Sequence, residues 1–241
     1  SNQYFDISAN DVTIDGSNNS INFNNIIDYP GLVKNGSIMK PDNNPPKMEE
    51  DPESGNSNYK QSFNNLEIEN LRLIKSESST IKNYAGWLVH AGSYYESSGN
   101  KIHNCLINCD LINNSNPIPN SNGRYIAAGF VGSYSLWGNY NTSDVNDDIS
   151  NNIVKTSIEI TKCIYQGTFV SSNIDSGLSG LIGSESANYN ANVIIDKCIS
   201  YPDIKTNGSC GFIGGGSLWV ASNLTMTKCL YLGSLLNNAP V

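Results

Sequence analysis

The stretch that decides the fold is 179–204, SGLIGSESANYNANVIIDKCISYPDI, which recurs at 210–235 as CGFIGGGSLWVASNLTMTKCLYLGSL. Each copy begins with a glycine followed by large apolar residues and continues to a Lys–Cys pair inside a second apolar segment. The apolar runs are only a few residues long and lie between Gly, Asn and Ser, which is typical of strands rather than helices. Two elements that recur in the same order indicate a repeat protein.

The Cys-containing element recurs further back in the chain. It reads KIHNCLINCDL at 101–111 and EITKCIYQGTF at 159–169, and EIENLRLIKSE at 67–77 has leucine in place of the cysteine. The aligned column consists of Leu71, Cys105, Cys163, Cys198 and Cys229. We interpret the element as a strand whose column residues point inward and form a structural core ladder.

The glycine element alternates with the Cys element. Its aligned glycines are Gly31, Gly86, Gly129, Gly180 and Gly211. The large apolar residues that follow them predict a second inward ladder, made of Trp87–Leu88, Phe130, Leu181 and Phe212. The glycines are expected to let the chain bend at a corner.

These patterns predict an all-β fold, a right-handed parallel β-helix of about five or more coils in which equivalent strands stack about 4.8 Å apart. We expect one domain over 1–241, with a first coil at 10–37 and repeats over 66–236. Residues 38–62, rich in Pro and acidic residues, predict a long loop insertion, and 136–152 predict a second one. Insertions of this kind leave the strands in register and collect at corners.

Composition fits many short strands joined by turns. The chain has 37 Asn and 32 Ser, and only 15% of its residues are charged. Asn and Gly accept the left-handed backbone that tight turns require. The net charge of −8 argues against a nucleic-acid partner, because phosphate binding needs a basic face. No apolar run approaches the roughly 18 residues of a transmembrane segment.

The two copies at 179–204 and 210–235 resemble the GLUG-type repeat, and NDVTIDGSNNSINF at 10–23 resembles the opening coil of pectin-lyase-like β-helices. In the latter stretch the matching residues are Ile14, Asp15, Gly16 and Ile21. Such repeats occur in bacterial surface and adhesin-like proteins, and similar Asn-rich β-helices occur in large DNA viruses. The resemblance implies display or binding, although related β-helices also include polysaccharide lyases and hydrolases, so the fold alone does not select a function.

The cysteines have two interpretations. Four of the six recur in one column, as expected for small buried apolar side chains, and stacked thiols would point the same way rather than at each other. We therefore expect free thiols, which suit assembly in a reducing cytosol. Disulfides remain the alternative, since neighbouring parallel strands bring Cα atoms within bridging range.

Residues for catalysis are sparse. His90 and His103 are the only histidines, and their spacing matches no metal motif. The best carboxylate cluster for glycoside hydrolysis is Asp144, Asp147 and Asp148, but it lacks an apolar setting that would raise a carboxyl pKa, so we interpret it as a solvated acidic loop. Asp144, Asn146 and Asp148 also alternate as at the start of a calcium loop, but the later Gly and Glu of such a loop are missing. We expect no enzymatic activity, no cofactor and no metal.

The function expected from these features is a structural or surface-display module of a virion surface, fibre or adhesin, located at a virion or cell surface. The first alternative is a carbohydrate-binding or carbohydrate-cleaving β-helix, and the second is an intracellular interaction scaffold. Aromatic side chains that could stack on sugar rings are Tyr134, Trp137, Tyr140 and Trp219, unless they serve only to cover the coils. Glycans or a protein receptor are the expected partners, and the oligomeric state, a trimer included, is left open.

Overall fold

The structure is a computed structural model, and it describes residues 4–36, 62–75, 79–113, 126–138, 155–171, 177–204, 210–218 and 221–235. Within these ranges all regular secondary structure is β, and no helix has the length and apolarity to cross a membrane. The expectation of an all-β chain is therefore confirmed at this level.

The described strands are short and follow the repeats. In chain order they are β1 Phe5–Asp6, β2 Thr13–Asp15, β3 Ser20–Phe23, β4 Val33–Lys34, β5 Glu67–Glu69, β6 Arg72–Lys75, β7 Asn100–His103, β8 Leu106–Asn108, β9 Leu111–Asn113, β10 Ile126–Ala128, β11 Thr156–Thr161, β12 Ile164–Ser171, β13 Gly177–Ser179, β14 Ala191–Asp196, β15 Ile199–Ile204, β16 Asn223–Thr227, β17 Leu230–Tyr231 and β18 Ser234–Leu235.

Every strand pairing described is parallel. One sheet has the order β16-β14-β11-β7-β5-β2, and a second has the order β17-β15-β12-β8-β6-β3, with β9 and β18 at its side. Each successive repeat contributes one strand to each of these sheets, so the sequence repeats become neighbours in space. Smaller parallel pairs join β1 to β4 and β10 to β13.

A left-handed corner divides the Cys element into two strands. The residue before each column position has a φ between 52° and 55°. These residues are Asn70, Asn104, Lys162, Lys197 and Lys228. Our interpretation of the element as a single strand is therefore wrong at this point: one strand ends at the corner, and the next begins after the column residue.

The core lies between the sheets. Inward-facing Ile68, Ile102 and Ile160 are fully buried, and they occupy equivalent register positions. In the second predicted ladder the side chains of Trp87, Leu88, Phe130 and Leu181 are at most 1% exposed, whereas Phe212, in a later repeat, is partly exposed.

The glycine elements stack along a third side, where parallel bridges join Val33, Val89, Val131, Ile182 and Ile213 in series. The preceding glycines allow close approach of neighbouring repeats. A Cβ atom on Gly180 would overlap the carbonyl oxygen of Gly211, and one on Gly129 would overlap the Tyr165 ring.

The bases of the two predicted insertions are partly described. Ser62, the last residue of 38–62, is buried and donates a hydrogen bond to the Asn35 carbonyl oxygen, while 37–61 lie outside the described residues. Leu136 is fully buried, so the packed part of the chain extends into the predicted insertion 136–152. Its residues from 139 onward lie outside the described ranges.

Candidate functional site

Four aromatic side chains from three successive repeats form a continuous row, here called the aromatic row: Tyr84, Tyr134, Trp137 and Tyr189. The ring centroids of Tyr84 and Tyr134 are 5.7 Å apart, and those of Tyr134 and Trp137 are 6.4 Å apart. Trp137 then meets Tyr189 edge-on at 5.1 Å. These separations lie in the range of favourable aromatic pairs.

The turns after the glycine elements place the row. Tyr134 has a φ of 58° and Leu136 a φ of 63°, with the buried Ser135 between them. This alternation turns Leu136 into the core while Tyr134 and Trp137 stay half-buried. Non-glycine residues seldom adopt left-handed φ, so two in one turn mark a conformation selected by the packing around it.

Trp137 is held at three points. Its indole Nε1–H donates to the Glu185 carbonyl oxygen at 2.7 Å. Its own carbonyl oxygen accepts hydrogen bonds from the Glu96 N–H at 2.8 Å and from the Thr156 hydroxyl at 2.9 Å. Trp137 therefore has a fixed position, so little of its side-chain entropy would be lost when a ligand binds to it.

Two glutamates belong to the same neighbourhood. The backbone of Glu96 bonds to Trp137, and the backbone of Glu185 bonds to its indole. Partial burial raises the pKa of the Glu96 carboxyl above its ordinary value. The half-buried rings of Tyr134, Trp137 and Tyr189 offer flat apolar faces on which a sugar ring could stack, whereas Tyr84 is buried and supports the row from below.

Of the four sequence-predicted aromatic residues, the structure brings Tyr134 and Trp137 together. Tyr140 and Trp219 lie outside the described residues. Sequence reasoning missed Tyr84 and Tyr189, which come from other repeats. The tripeptide Ser–Leu–Trp occurs at 135–137 and again at 217–219, but it marks only the two tryptophans and gives no signal for Tyr84 or Tyr189.

The core column lies apart from this surface. Leu71, Cys105, Cys163 and Cys198 are buried, and Cys229 is partly exposed. The thiols of Cys163 and Cys198 donate to the carbonyl oxygens of Ile102 and Ile160 at 3.5 and 3.3 Å. Burial raises the pKa of the Cys163 thiol well above its ordinary value.

All six cysteines lie in the described ranges, and each is a free thiol. The column packs as a row of small side chains whose weak S–H donors find backbone acceptors.

The two histidines occupy different settings. His90 Nε2 is 3.0 Å from the Gly31 carbonyl oxygen, and burial lowers the pKa of His90 to about 4. His103 Nε2 lies 3.0 Å from Glu67 Oε1 and 3.2 Å from Glu69 Oε2 on the outer face of β5 and β7. No group of three or more His, Cys, Asp or Glu within the described ranges is arranged to hold a metal ion, and Asp144, Asp147 and Asp148 fall outside those ranges.

No family model, curated protein or solved structure matches this chain. The chemistry of the surface is therefore the guide to function, and the aromatic row is its most organised feature within the described residues.

Proposed function

We propose that the repeats form a right-handed parallel β-helix and that the chain acts as a non-catalytic structural or surface-display module of a virion surface, fibre or adhesin-like protein. The hand follows from the general rule that parallel strands of one sheet are joined by right-handed crossovers in about 98% of cases. A location at a virion or cell surface, and glycans or a protein receptor as partners, belong to the same proposal.

The observation that carries the proposal is the register of strands across the predicted insertions. Ser20–Phe23 pair with Arg72–Lys75 residue by residue, although 37–61 lie between them. Likewise Leu106–Asn108 pair in register with the start of β12 across 114–125 and 139–154. The strands thus supply a regular support, from which long segments leave and to which they return.

The base of the first segment is fastened by Asn35. Its side-chain amide donates to the Phe63 carbonyl oxygen and accepts from the Phe63 N–H, both at 2.8 Å. The Ser62 hydroxyl adds a bond of 2.8 Å to the Asn35 carbonyl oxygen. Because closure is made at the base, the length of the segment beyond it has little effect on folding, since loop entropy grows slowly with length.

Deletion of 41–58 tests this division. We expect the deletion to leave the circular dichroism spectrum and the melting temperature nearly unchanged, while binding to a glycan array is altered. The matched control is Asn35→Ala, which leaves the segment intact but removes its fastening, and which should lower the melting temperature. Unfolding of the deletion variant would show that 41–58 belong to the core and would overturn the proposal.

A second candidate, carbohydrate binding, is favoured by the aromatic row. Trp137→Ala should abolish binding of any glycan retained by the wild-type chain on an array, while Trp137→Phe, which keeps a ring, should retain part of it. Trp87→Phe, deep in the core, is the control for a tryptophan change away from the surface.

The alternative in which the chain cleaves a polysaccharide rather than only binding it has its own test. Wild-type protein incubated with polygalacturonate should release no new reducing or unsaturated ends. Turnover that disappears when Asp144, Asp147 and Asp148 are changed to Asn would replace the display proposal with an enzymatic one.

A further inference from the structure

We infer that the stacked thiols of the core column bind soft monovalent cations of the Cu(I) class, with one ion between each pair of neighbouring sulfur atoms. The cysteines concerned are Cys105, Cys163, Cys198 and Cys229. The inference departs from the expectation that the chain holds no metal, and it does not depend on the display function or on the aromatic row.

The four cysteines are stacked one repeat apart. The residues that follow them are paired in register, Leu106 with Ile164, Ile164 with Ile199, and Ile199 with Leu230. The N–H groups of Ile164, Ile199 and Leu230 each donate at 2.9 Å to the carbonyl oxygen of the column cysteine in the preceding repeat. Equivalent atoms of adjacent parallel strands are about 4.8 Å apart, so each column cysteine lies one strand spacing from the next.

The four side chains share one orientation. Each sulfur atom lies 3.3 or 3.4 Å from the carbonyl oxygen two residues before it in the chain. Each also lies 3.3 to 3.8 Å from an isoleucine carbonyl oxygen of the preceding repeat, in turn that of Ile68, Ile102, Ile160 and Ile195. Hydrogen bonding with the Cys163 thiol lowers the pKa of the flanking Cys105 and Cys198 thiols, as expected for neighbouring sulfur atoms. The sulfur atoms therefore form a single file along the stack.

The spacing of the file fits a two-coordinate ion. A metal–thiolate bond in zinc sites is about 2.3 Å long, so an ion midway between two sulfur atoms needs them about 4.6 Å apart. The strand spacing of about 4.8 Å is close to this value. Zn²⁺ itself prefers four ligands in a tetrahedron, and within the part of the chain that the structure describes no group of three or more His, Cys, Asp or Glu could hold an ion. Thiolates favour Cu(I), which accepts two ligands in a line.

The exchange of a proton for a monovalent ion keeps the buried file neutral. When an ion binds, the S–H bond of one thiol breaks, its proton leaves to solvent and a sulfur–copper bond forms, while the next sulfur atom donates a lone pair to the same ion. Four sulfur atoms that hold three Cu(I) ions and one remaining proton carry no net charge. Neutrality matters because Cys163 and Cys198 are fully buried, where an uncompensated charge is costly. Divalent ions placed in the same intervals would leave the file charged.

Native mass spectrometry after equilibration with Cu(I) tests the inference. The chain is incubated anaerobically with Cu(I) supplied as its acetonitrile complex, together with a competing Cu(I) chelator that removes ions held by a single thiol. Incubation continues until the mass is constant, because the buried column must open locally to admit an ion. The wild-type chain should retain three copper ions, one for each interval between the four column sulfur atoms. Retention of no copper would overturn the inference.

Substitutions distinguish the file from ordinary thiol binding. Cys163→Ala removes the sulfur atom shared by two intervals, so the number of ions should fall from three to one. Cys229→Ala removes one interval and should leave two ions, which keeps the test decisive if Cys163→Ala does not fold. Cys109→Ala is the matched control, because Cys109 is buried but lies outside the column, and three ions should remain. Copper that fell by the same amount in all three variants would follow the number of thiols alone and would contradict the inference.

X-ray absorption at the copper edge measures the coordination directly. Each ion should have two sulfur neighbours, and three or four would show that the thiols have left the column, which would overturn the inference. The circular dichroism spectrum should stay that of the copper-free chain, because the sulfur atoms are already in place. Loss of the strand signal on copper binding would mean that copper disrupts the column, a result that also overturns the inference while leaving the proposed display function untouched.

Discussion

The backbone N–H of Ser135 donates a hydrogen bond of 3.2 Å to the hydroxyl of Ser186, its equivalent one repeat further along the chain. The same bond joins Ser93 to Ser135 and Ser186 to Ser217. Ser93, Ser135 and Ser186 are fully buried. The serines therefore form a polar ladder inside the stack, in which one side chain satisfies the backbone of the repeat before it.

Ser186→Ala should lower the free energy of unfolding by about 1–3 kcal/mol, because it leaves the buried N–H of Ser135 without its acceptor. Denaturant unfolding followed by circular dichroism measures the change. Ser98→Ala, at an exposed turn, is the control and should shift stability by less than about 0.5 kcal/mol. Equal effects at the two serines would contradict a role for the ladder.

Cys163→Asp should destabilise the fold by about 3 kcal/mol or more, since it places an ionisable group without a partner in the fully buried part of the column. Cys229→Asp is the matched change at the partly exposed end of the column and should cost clearly less. An independent check is thiol labelling of the native protein, where Cys210 and Cys229 should react well before Cys163. Rapid labelling of Cys163 would show that it is accessible.

The protein should lose stability as the pH falls from about 6.5 towards 4, in part through His90. Burial holds the pKa of His90 at about 4 in the folded chain, against 6.5 for an ordinary histidine, so the unfolded chain takes up the proton first. The contribution of His90 is present above pH 6.5 and declines to zero as the pH reaches the folded value, and it amounts to about 3 kcal/mol at most.

Melting temperatures of the wild type and His90→Gln between pH 4 and 7.5 isolate this contribution, because the carboxyl groups titrate in both proteins. The wild-type curve should fall more steeply than the variant curve across this window. Parallel curves would mean that His90 is protonated equally easily in the folded and unfolded chains.

Gly180→Ala should destabilise by about 1–3 kcal/mol, because the new methyl group would collide with the Gly211 backbone of the next repeat, which cannot move without disturbing the stack. Gly215→Ala is the matched control, since a Cβ atom there meets nothing within 4 Å. Its melting temperature should be unchanged or slightly higher. Equal losses at both glycines would refute the close-approach argument.

Repetition in the sequence made the strands and the inward column predictable, because a position that recurs as Leu or Cys in five repeats has one environment. The left-handed corner directly before this column position could not be predicted from the sequence. Lys162 and Lys197 stand directly before the column cysteine within a segment that the repeats make strand-like, and lysine is not a usual left-handed residue. Only Asn70 and Asn104, at the same position in earlier repeats, indicate a turn there.

The candidate site was predictable only in part, for a similar reason. Tyr134 and Trp137 stand out as aromatic residues next to a polar segment, whereas their contacts with Tyr84 and Tyr189 depend on how three repeats stack. Leu136 was assigned to the second insertion because polar residues follow it. Its burial comes from the left-handed turn, which no property of the single residue reveals.

The described strands of the two large sheets pair only with strands of the preceding and the following repeat, and this has a consequence for biosynthesis. Ile158, for example, faces Asn100 of the earlier repeat and Val193 of the later one. A repeat leaving the ribosome therefore meets a template that is already complete, and it can dock before the next one is translated. Such a chain can fold from its amino terminus at the pace of translation. A pause in translation would leave the completed repeats folded, with the last strand of each sheet unpaired until the next repeat is made.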